Sequence, residues 1–304
     1  MMRYDLIADW NLNRYCNFRC PYCYIGLEDR ENEDYRGNDV PKIINAFDHS
    51  GKTWLIHMSG GEPFLHPDFI DLCKGLIRNH YLSINTNLTH QLVYDFCERI
   101  EPERVSFIHC SLIIIDRGVR KLINDFTEKV KVLETSGFLV YVTQVTWPPI
   151  IPEFNQIFEF FRRQGILIRP KLFRGKYKGE EYPGSYTEEE KRILQDIMKR
   201  IDEMDGKSGK MKGHINPDME RQWMNGHVSF KDQPCLAGSK FVFIDFWGNV
   251  RRCAGDPMSL GNIYQGRLKL FEQEVSCRMP ICGCPYYGFN FARGEPTIVR
   301  SISL

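Results

Sequence analysis

The 304-residue sequence lacks several features that mark particular protein classes. No apolar run approaches the roughly 18 residues that a membrane span needs, so no membrane association is expected. The formal net charge is only +1 and no Lys/Arg stripe stands out, which argues against a nucleic-acid partner. Low-complexity segments and internal repeats are missing, and no basic segment followed by an apolar one opens the chain, so a cytoplasmic location is expected.

Cysteine, in contrast, is abundant, with 11 residues. A chain without an export signal is expected in a reducing compartment, where disulfides are rare, and an odd count fits disulfide pairing poorly. Metal ligation is the better explanation. Three cysteines lie near the start and five lie between residues 235 and 284. Cys73 and Cys97 fall in helix patterns, which predicts that both are small core residues.

The first 173 residues alternate strand-type and helix-type segments. The pattern predicts strands over residues 4–11, 53–58, 81–85, 104–111, 138–146 and 166–173, and helices over 41–50, 68–79, 90–100, 116–136 and 153–164. The strands are near-continuously apolar, which is typical of parallel strands buried on both faces. Six β/α units can form an open barrel or a doubly wound sheet, and the pattern alone does not choose.

The remaining residues are less regular. A helix is predicted over residues 187–204, where Thr187 and Glu190 form a capping box. Residues 205–232 are rich in Gly, Lys and Asp and read as a linker. Strands over 240–246 and 250–252 predict a hairpin around Trp247-Gly248-Asn249, and 268–275 a short helix. The expected domains are residues 1–204, a linker over 205–234, and a small cysteine-rich α+β extension over 235–304.

A compact motif, Cys16-Asn-Phe-Arg-Cys20-Pro-Tyr-Cys23, directly follows the first predicted strand. Three thiolates on one short loop can hold three irons of a [4Fe–4S] cluster and leave the fourth iron open to a substrate or cofactor. A zinc knuckle or unliganded core thiols are the alternatives. The loop follows a parallel strand at the sheet edge where α/β active sites form.

Polar motifs also end the later strands. The two glycines of Ser59-Gly60-Gly61-Glu62-Pro63 let the backbone approach a ligand, and Glu62 can meet an ammonium group. Thr86 and Asn87, which end the segment Ser83-Ile-Asn-Thr-Asn87, suit ribose hydroxyls, although a plain turn with a helix cap is the alternative. Further polar residues lie on the fourth and fifth strands, and they either line a cavity above the cysteine motif or are core groups with hydrogen-bond partners: His109, Cys110, Ser111, Thr143, Gln144 and Thr146. Lys171 and Arg174 end the sixth strand and either contact a ligand or are solvated at the surface.

The C-terminal cysteines form a second group. Cys235, Cys253, Cys277, Cys282 and Cys284 could carry one four-cysteine cluster with one thiol to spare. A structural zinc site with four cysteine ligands is the alternative.

Together these motifs resemble the radical S-adenosylmethionine (SAM) superfamily, in which C-x3-C-x-aromatic-C follows the first strand and GGEP the second. The resemblance covers about residues 4–173. It implies a partial (β/α)6 TIM-like barrel whose Cys16, Cys20 and Cys23 ligate a [4Fe–4S] cluster. SAM would bind the open iron and yield a 5′-deoxyadenosyl radical on one-electron reduction. The SAM pocket would be formed by Tyr22, Ser59, Gly60, Gly61, Glu62, Ser83, Thr86 and Asn87, with Asn87 the main candidate near the ribose and carboxylate.

The C-terminal part resembles the family's SPASM extension and its shortened form, twitch, in Cys235…Gly248-x4-Cys253 and the Leu260-Gly-Asn-Ile263 stretch. Five cysteines, rather than about seven, imply the twitch form with one auxiliary [4Fe–4S] cluster. The C-x4-C-x-C ending departs from the usual C-x2-C. The expected ligands are Cys235, Cys253, Cys282 and Cys284, which leaves Cys277 as a spare thiol that is inert or donates a hydrogen atom.

The resemblance implies an oxidoreductase or epimerase that abstracts a hydrogen atom from a carbohydrate-like small molecule or a peptide. Dehydrogenation would use the auxiliary cluster as electron acceptor, and a flavodoxin or ferredoxin would supply the reducing electron. The chain begins almost at its first strand, which leaves little room for a peptide-recognition domain and favours a small or carbohydrate substrate. The alternatives are a peptide- or protein-modifying enzyme, of the kind that matures ribosomal peptides or sulfatases, and a non-catalytic iron–sulfur or zinc module.

Overall fold

A computed structural model describes residues 2–26, 28, 39–114, 120–205, 218–282 and 297–299. Its first part repeats a strand followed by a helix. The strands are β1 (Leu6–Asn13), β2 (Trp54–Gly60), β3 (Tyr81–Thr86), β4 (Val105–Leu112), β5 (Val140–Thr146) and β6 (Ile168–Leu172). The helices are α1 (Val40–Asp48), α2 (Phe69–Leu76), α3 (Leu92–Arg99), α4 (Arg120–Thr135) and α5 (Ile151–Arg162). Every strand and helix predicted for this part is confirmed, with small shifts at the ends.

The six strands are parallel and pair in chain order from β1 to β6. One face of the sheet packs with the helices, where Trp10 and Trp54 join Phe47, Phe96 and Phe154 in the main core. The other face carries a separate apolar cluster, and no helix in the described part of the chain contributes a buried residue to it. Because a doubly wound sheet would have helices on both faces, this arrangement is the partial barrel, which is open at its edges rather than closed.

Between the barrel and the C-terminal extension, the structure describes six elements. These are β7 (Gly175–Tyr177), β8 (Glu180–Tyr182), α6 (Glu188–Asp205), α7 (Asp218–Trp223), β9 (His227–Ser229) and β10 (Pro234–Cys235). The capping box of α6 is confirmed, because the Glu190 N–H donates to Thr187 Oγ1 at 3.2 Å and the Thr187 N–H donates to Glu190 Oε2 at 2.7 Å. The second half of the expected linker is ordered as α7 and β9, since the apolar side chains of Trp223 and Val228 are buried in the core.

The extension continues the barrel sheet. The strand β11 (Phe241–Ile244) pairs with β1 in parallel, and β12 (Asn249–Arg251), β13 (Ser259–Asn262) and β14 (Arg267–Leu268) follow in antiparallel order, so that the sheet has ten strands. Two further short strands are β15 (Val275–Ser276) and β16 (Thr297–Val299). The predicted hairpin is confirmed.

The prediction of a helix over residues 268–275 is wrong, because the structure has no helix there. The Lys269 N–H donates to the Leu260 carbonyl at 2.8 Å, and the Phe271 N–H donates to the Gly238 carbonyl at 2.9 Å. These main-chain groups are therefore used by neighbouring strands and loops instead of a helix.

In the parts of the chain that the structure describes, no helix combines the length and apolarity that crossing a bilayer requires. Cys73 is fully buried on α2, as predicted, and Cys97 is half-buried on α3 against the same core.

Candidate active site

Three loops meet at the C-terminal edge of β1, β2 and β3. We call residues 16–23 the cysteine loop and residues 59–63 the glycine loop, and the third loop follows β3 and begins at Asn87. The Gly61 N–H donates to the Asn13 carbonyl at 2.9 Å, and the Glu62 N–H donates to the Tyr15 carbonyl at 2.8 Å. A β-carbon on Gly61 would overlap the Tyr15 carbonyl, so this close approach requires glycine. The glycine loop is thus fixed against the segment that enters the cysteine loop.

Glu62 links the glycine loop to the end of β3. Its carboxylate is buried and accepts hydrogen bonds from Thr86 Oγ1 at 2.6 Å, from the Asn87 N–H at 2.6 Å and from the Phe64 N–H at 3.1 Å. Burial raises the pKa of Glu62 to about 7, although these three donors oppose the shift. The side chain expected to meet an ammonium group is therefore engaged with the protein's own donors.

Asn87 reaches from the end of β3 to the cysteine loop. Its Nδ2 donates to Asn17 Oδ1 at 3.0 Å and lies 3.9 Å from Cys16 Sγ. A cleft beside it is lined in part by Phe18, Thr89 and Ile113. Asn87 thus contacts the cysteine loop and also borders this cleft.

Two of the three thiols, those of Cys20 and Cys23, lie at the ends of one tight turn, which is closed by a hydrogen bond of 3.2 Å from the Cys23 N–H to the Cys20 carbonyl. Cys20 is buried, and Cys16 and Cys23 are half-buried. Among the described residues, no three Cys, His, Asp or Glu side chains converge as ligands of one metal ion do. A [4Fe–4S] cluster does not require this, because each thiolate binds a different iron. The type, number and spacing of these donors therefore fit such a cluster.

The inner face of the barrel carries a layer of polar side chains, which we call the lumen belt. Each strand from β1 to β6 contributes one of its members, in order Asp9, His57, Ser83, His109, Thr143 and Lys171. His57 Nδ1 lies 2.8 Å from Ser83 Oγ, and His109 Nε2 lies 2.7 Å from Thr143 Oγ1. Ser83 is therefore placed inside the barrel, bonded to a histidine, rather than beside Asn87.

Burial sets the charges of the lumen belt. It raises the pKa of Asp9 to about 6 and lowers the pKa of His57 to about 3. Burial, followed by the charge of Arg174, lowers the pKa of Lys171 to about 8. Near pH 7 the belt therefore presents a carboxylate, an ammonium group and neutral imidazole and hydroxyl groups.

Other residues singled out in the sequence have different surroundings. Ser59 is buried and lies 3.1 Å from Asn11 Oδ1, while the Tyr22 ring packs 5.9 Å from Trp147. Arg174 donates to Glu220 at 3.3 Å and stacks on Trp223, so it faces α7. Cys110 is buried in the main core on the helix side of the sheet. Gln144 and Thr146 are buried polar groups with hydrogen-bond partners. Ser111 Oγ donates to Asn85 Oδ1 at 3.2 Å.

The C-terminal cysteine group consists of Cys235, Cys253, Cys277 and Cys282, all half-buried. The pKa of Cys235 is raised, mainly by burial, and the nearby thiols of Cys277 and Cys282 add to the shift. The pKa of Cys277 is also raised, mainly by burial, and the nearby thiols of Cys282 and Cys253 add to this shift. Cys277 therefore lies near the other three thiols, and Cys284, one of the expected ligands, lies outside the described residues.

The radical SAM superfamily model matches residues 10–136. This span contains the cysteine loop, the glycine loop and Asn87. Residues 10–136 form a radical SAM domain. The matched span therefore contains the loops that the structure brings together at the C-terminal edge of the first three strands.

Curated relatives match part of the chain. A probable GTP 3′,8-cyclase of Saccharolobus islandicus is 26% identical over 126 residues, which is 40% of each protein. A probable GTP 3′,8-cyclase of Archaeoglobus fulgidus is 30% identical over 101 residues, 33% of each. The match therefore spans well under half the length of these relatives.

Two solved structures resemble most of the chain. The enzyme anSMEcpe with bound AdoMet has a TM-score of 0.58 at 13% identity, covering 85% of this chain and 78% of its own. Streptococcus suis SuiB bound to S-adenosylmethionine has a TM-score of 0.59 at 13% identity, covering 86% and 64%. The TM-scores show a shared fold, which agrees with the partial barrel described above. At 13% identity these likenesses show the fold alone.

Sequence reasoning missed two members of the lumen belt, Asp9 and His57. Each is the first polar residue of its strand and follows three apolar residues. The available signal was the alternation of strand side chains, which puts Asp9 and His57 on the face opposite Trp10 and Met58.

Proposed function

We propose that this chain is a radical SAM enzyme that abstracts a hydrogen atom from a carbon of a polar substrate held in the barrel lumen. The convergence of the glycine loop and Asn87 on the cysteine loop carries the proposal. A simple electron carrier needs neither a ligand cleft beside its cluster nor a polar lumen below it. When bound, the cluster and SAM supply a 5′-deoxyadenosyl radical.

The residues of the three loops would have different roles in binding the cluster and SAM. Cys16, Cys20 and Cys23 would hold the cluster at the barrel mouth. Glu62 fixes the distance between the glycine loop and Asn87, so that the pocket for SAM keeps its shape. Asn87 would direct its amide toward the ribose and carboxylate of SAM. These roles are supported by the hydrogen bonds of Glu62 and Asn87 given above.

The lumen belt supports a polar substrate. Ionised Asp9 and Lys171, with the hydroxyls of Ser83 and Thr143, offer donors and acceptors that suit a carbohydrate-like molecule. A peptide substrate is the second candidate, because one solved relative is described as SuiB bound to the precursor peptide SuiA and another as anSMEcpe bound to the Kp18Cys peptide. Dehydrogenation or epimerisation would follow the abstraction step.

The C-terminal cysteine group would hold an auxiliary [4Fe–4S] cluster. Its four thiols come from four short segments around one apolar patch, against which Cys235, Cys253 and Cys282 pack. Four thiolates complete such a cluster, so that Cys284 is not required. The auxiliary cluster would accept the electron left on the substrate, and a small redox protein would reduce the cluster at the cysteine loop.

The test is anaerobic reconstitution followed by reduction with dithionite in the presence of SAM, with 5′-deoxyadenosine measured by chromatography. We expect the wild type and Cys97→Ala to form 5′-deoxyadenosine, and Cys20→Ala to form none. Cys97→Ala is the matched control, because it removes a half-buried thiol from α3, away from the cysteine loop. Wild-type protein that takes up iron but neither binds nor cleaves SAM would favour the non-catalytic module instead.

A further inference from the structure

A buried arginine lies at the centre of the C-terminal cysteine group. Arg252 is 2% exposed and immediately precedes Cys253. Its Nε donates to the Ala237 carbonyl at 2.9 Å, and its Nη1 donates to the Ser276 carbonyl at 2.7 Å. Its Nη2 donates to the Cys235 carbonyl at 3.4 Å and also to the carbonyl of Val275. One guanidinium group therefore binds main-chain oxygens of two distant segments.

These contacts join three of the four cysteine segments. Cys253 follows Arg252, the main chain of Cys235 accepts from it, and Cys277 follows Ser276. The Cys235 and Cys277 segments are also joined by the two-residue pairing of β10 with β15. Two main-chain hydrogen bonds of 2.8 Å extend this pairing, from the Cys277 N–H to the Gln233 carbonyl and from the Asp232 N–H to the Cys277 carbonyl. This ladder is short, and the arginine adds charge-assisted hydrogen bonds to it, which also include the segment of Cys253.

The positive charge of Arg252 is balanced within the protein. Asp256 is 1% exposed, and its Oδ2 lies 3.7 Å from Arg252 Nη1. Arg278 Nη2 donates to the same carboxylate at 2.7 Å. A planar guanidinium can bond carbonyls on several sides at once, whereas the single ammonium of a lysine cannot span them.

We propose that Arg252 is a positioning residue that assembles the Cys235, Cys253 and Cys277 segments before any metal is bound. It thereby makes the auxiliary site largely preformed, so that the metal does not have to organise an extension with little core of its own. The inference rests on the proposed auxiliary cluster. Cys282 is held separately, because its N–H donates to the Val228 carbonyl at 2.7 Å.

The test compares wild type, Arg252→Lys, Arg252→Gln and the control Arg267→Gln, in which an exposed arginine of β14 is changed. After anaerobic reconstitution, iron and sulfide are counted and the loss of iron to a chelator is followed. Wild type and control should hold about eight irons. The Arg252 variants should hold about four, or release the second four about ten- to hundredfold faster, as is typical when groups supporting metal ligands are removed. Retention of the four irons of the cysteine loop shows that the barrel is folded.

Two results would overturn the inference, and they are distinguishable. Eight irons held as tightly by Arg252→Lys and Arg252→Gln as by wild type would show that Arg252 does not position the site. Four irons in wild type, unchanged by Cys235→Ala or Cys253→Ala, would show that the auxiliary cluster itself is absent. If Arg252→Gln fails to fold, Arg252→Lys and the chelator rates still decide.

Discussion

Replacing Glu62 by glutamine should change the pH dependence of stability in a direction that the site geometry fixes. Glu62 is buried, and its carboxylate bridges the glycine loop to the main chain of Asn87. Its pKa is raised by burial from an ordinary value of 4.5 to about 7. The folded state therefore binds a proton that the unfolded state releases, and stability is lost as the pH rises from about 4.5 to about 7.

The magnitude follows from these two pKa values. At about 1.4 kcal/mol per pH unit, the full cost of ionising the buried Glu62 carboxyl is about 3 kcal/mol. Between pH 5 and pH 8 the cost rises by about 2.5 kcal/mol, since at pH 5 the unfolded chain is already partly ionised. Glutamine carries no charge, but it offers only one acceptor oxygen, so at least one of the three donors loses its partner. That loss costs about 1–3 kcal/mol at every pH.

Urea denaturation of the metal-free, reduced protein at pH 5 and pH 8 measures both effects. Glu62→Gln should be less stable than wild type at pH 5, and it should gain about 2.5 kcal/mol relative to wild type on going to pH 8. Glu98→Gln, on the exposed side of α3, is the matched control for removal of a carboxylate. A difference between Glu62→Gln and wild type that is the same at both pH values would refute the reasoning.

Three further predictions address neighbouring features. Lys129→Met should destabilise the metal-free protein by about 2 kcal/mol in urea, because it leaves the Thr89 carbonyl, now bonded at 3.0 Å to a fully buried ammonium, without its donor. An unchanged urea midpoint would count against that bond. Gly61→Ala should prevent assembly of the first cluster, seen as a loss of about four irons, whereas Gly255→Ala, whose added methyl group meets only ordinary contacts, should not. Cys277→Ala should lower the iron content from about eight to about four, and full retention would return Cys277 to the role of a spare thiol.

Much of the fold follows from local pattern. Each apolar run of the first 173 residues is a strand because β-branched and aromatic side chains favour strands buried on both faces. The location of the cysteine and glycine loops could be predicted from the sequence, because a short loop that directly follows a strand must lie at the end of that strand. Asn87 is readable for the same reason, as it directly follows β3.

Other features depend on contacts distant in sequence. The pairing of β11 with β1 joins opposite ends of the chain, and no local pattern encodes it. The apolar spacing of Leu268, Leu270 and Phe271 resembles a helix, although their main chain is used by neighbouring strands and loops. The role of Arg252 is similarly invisible, because its four carbonyl partners come from segments on both sides of it in sequence.

The central claim is that the cysteine loop carries a cluster which binds SAM. The most direct measurement counts iron and sulfide after anaerobic reconstitution of the wild type and of a variant in which Cys16, Cys20 and Cys23 are all alanine. We predict about eight irons in the wild type and about four in the variant, together with complete loss of 5′-deoxyadenosine formation. Equal iron contents in the two proteins would contradict the account, because the cysteine loop would then hold no cluster.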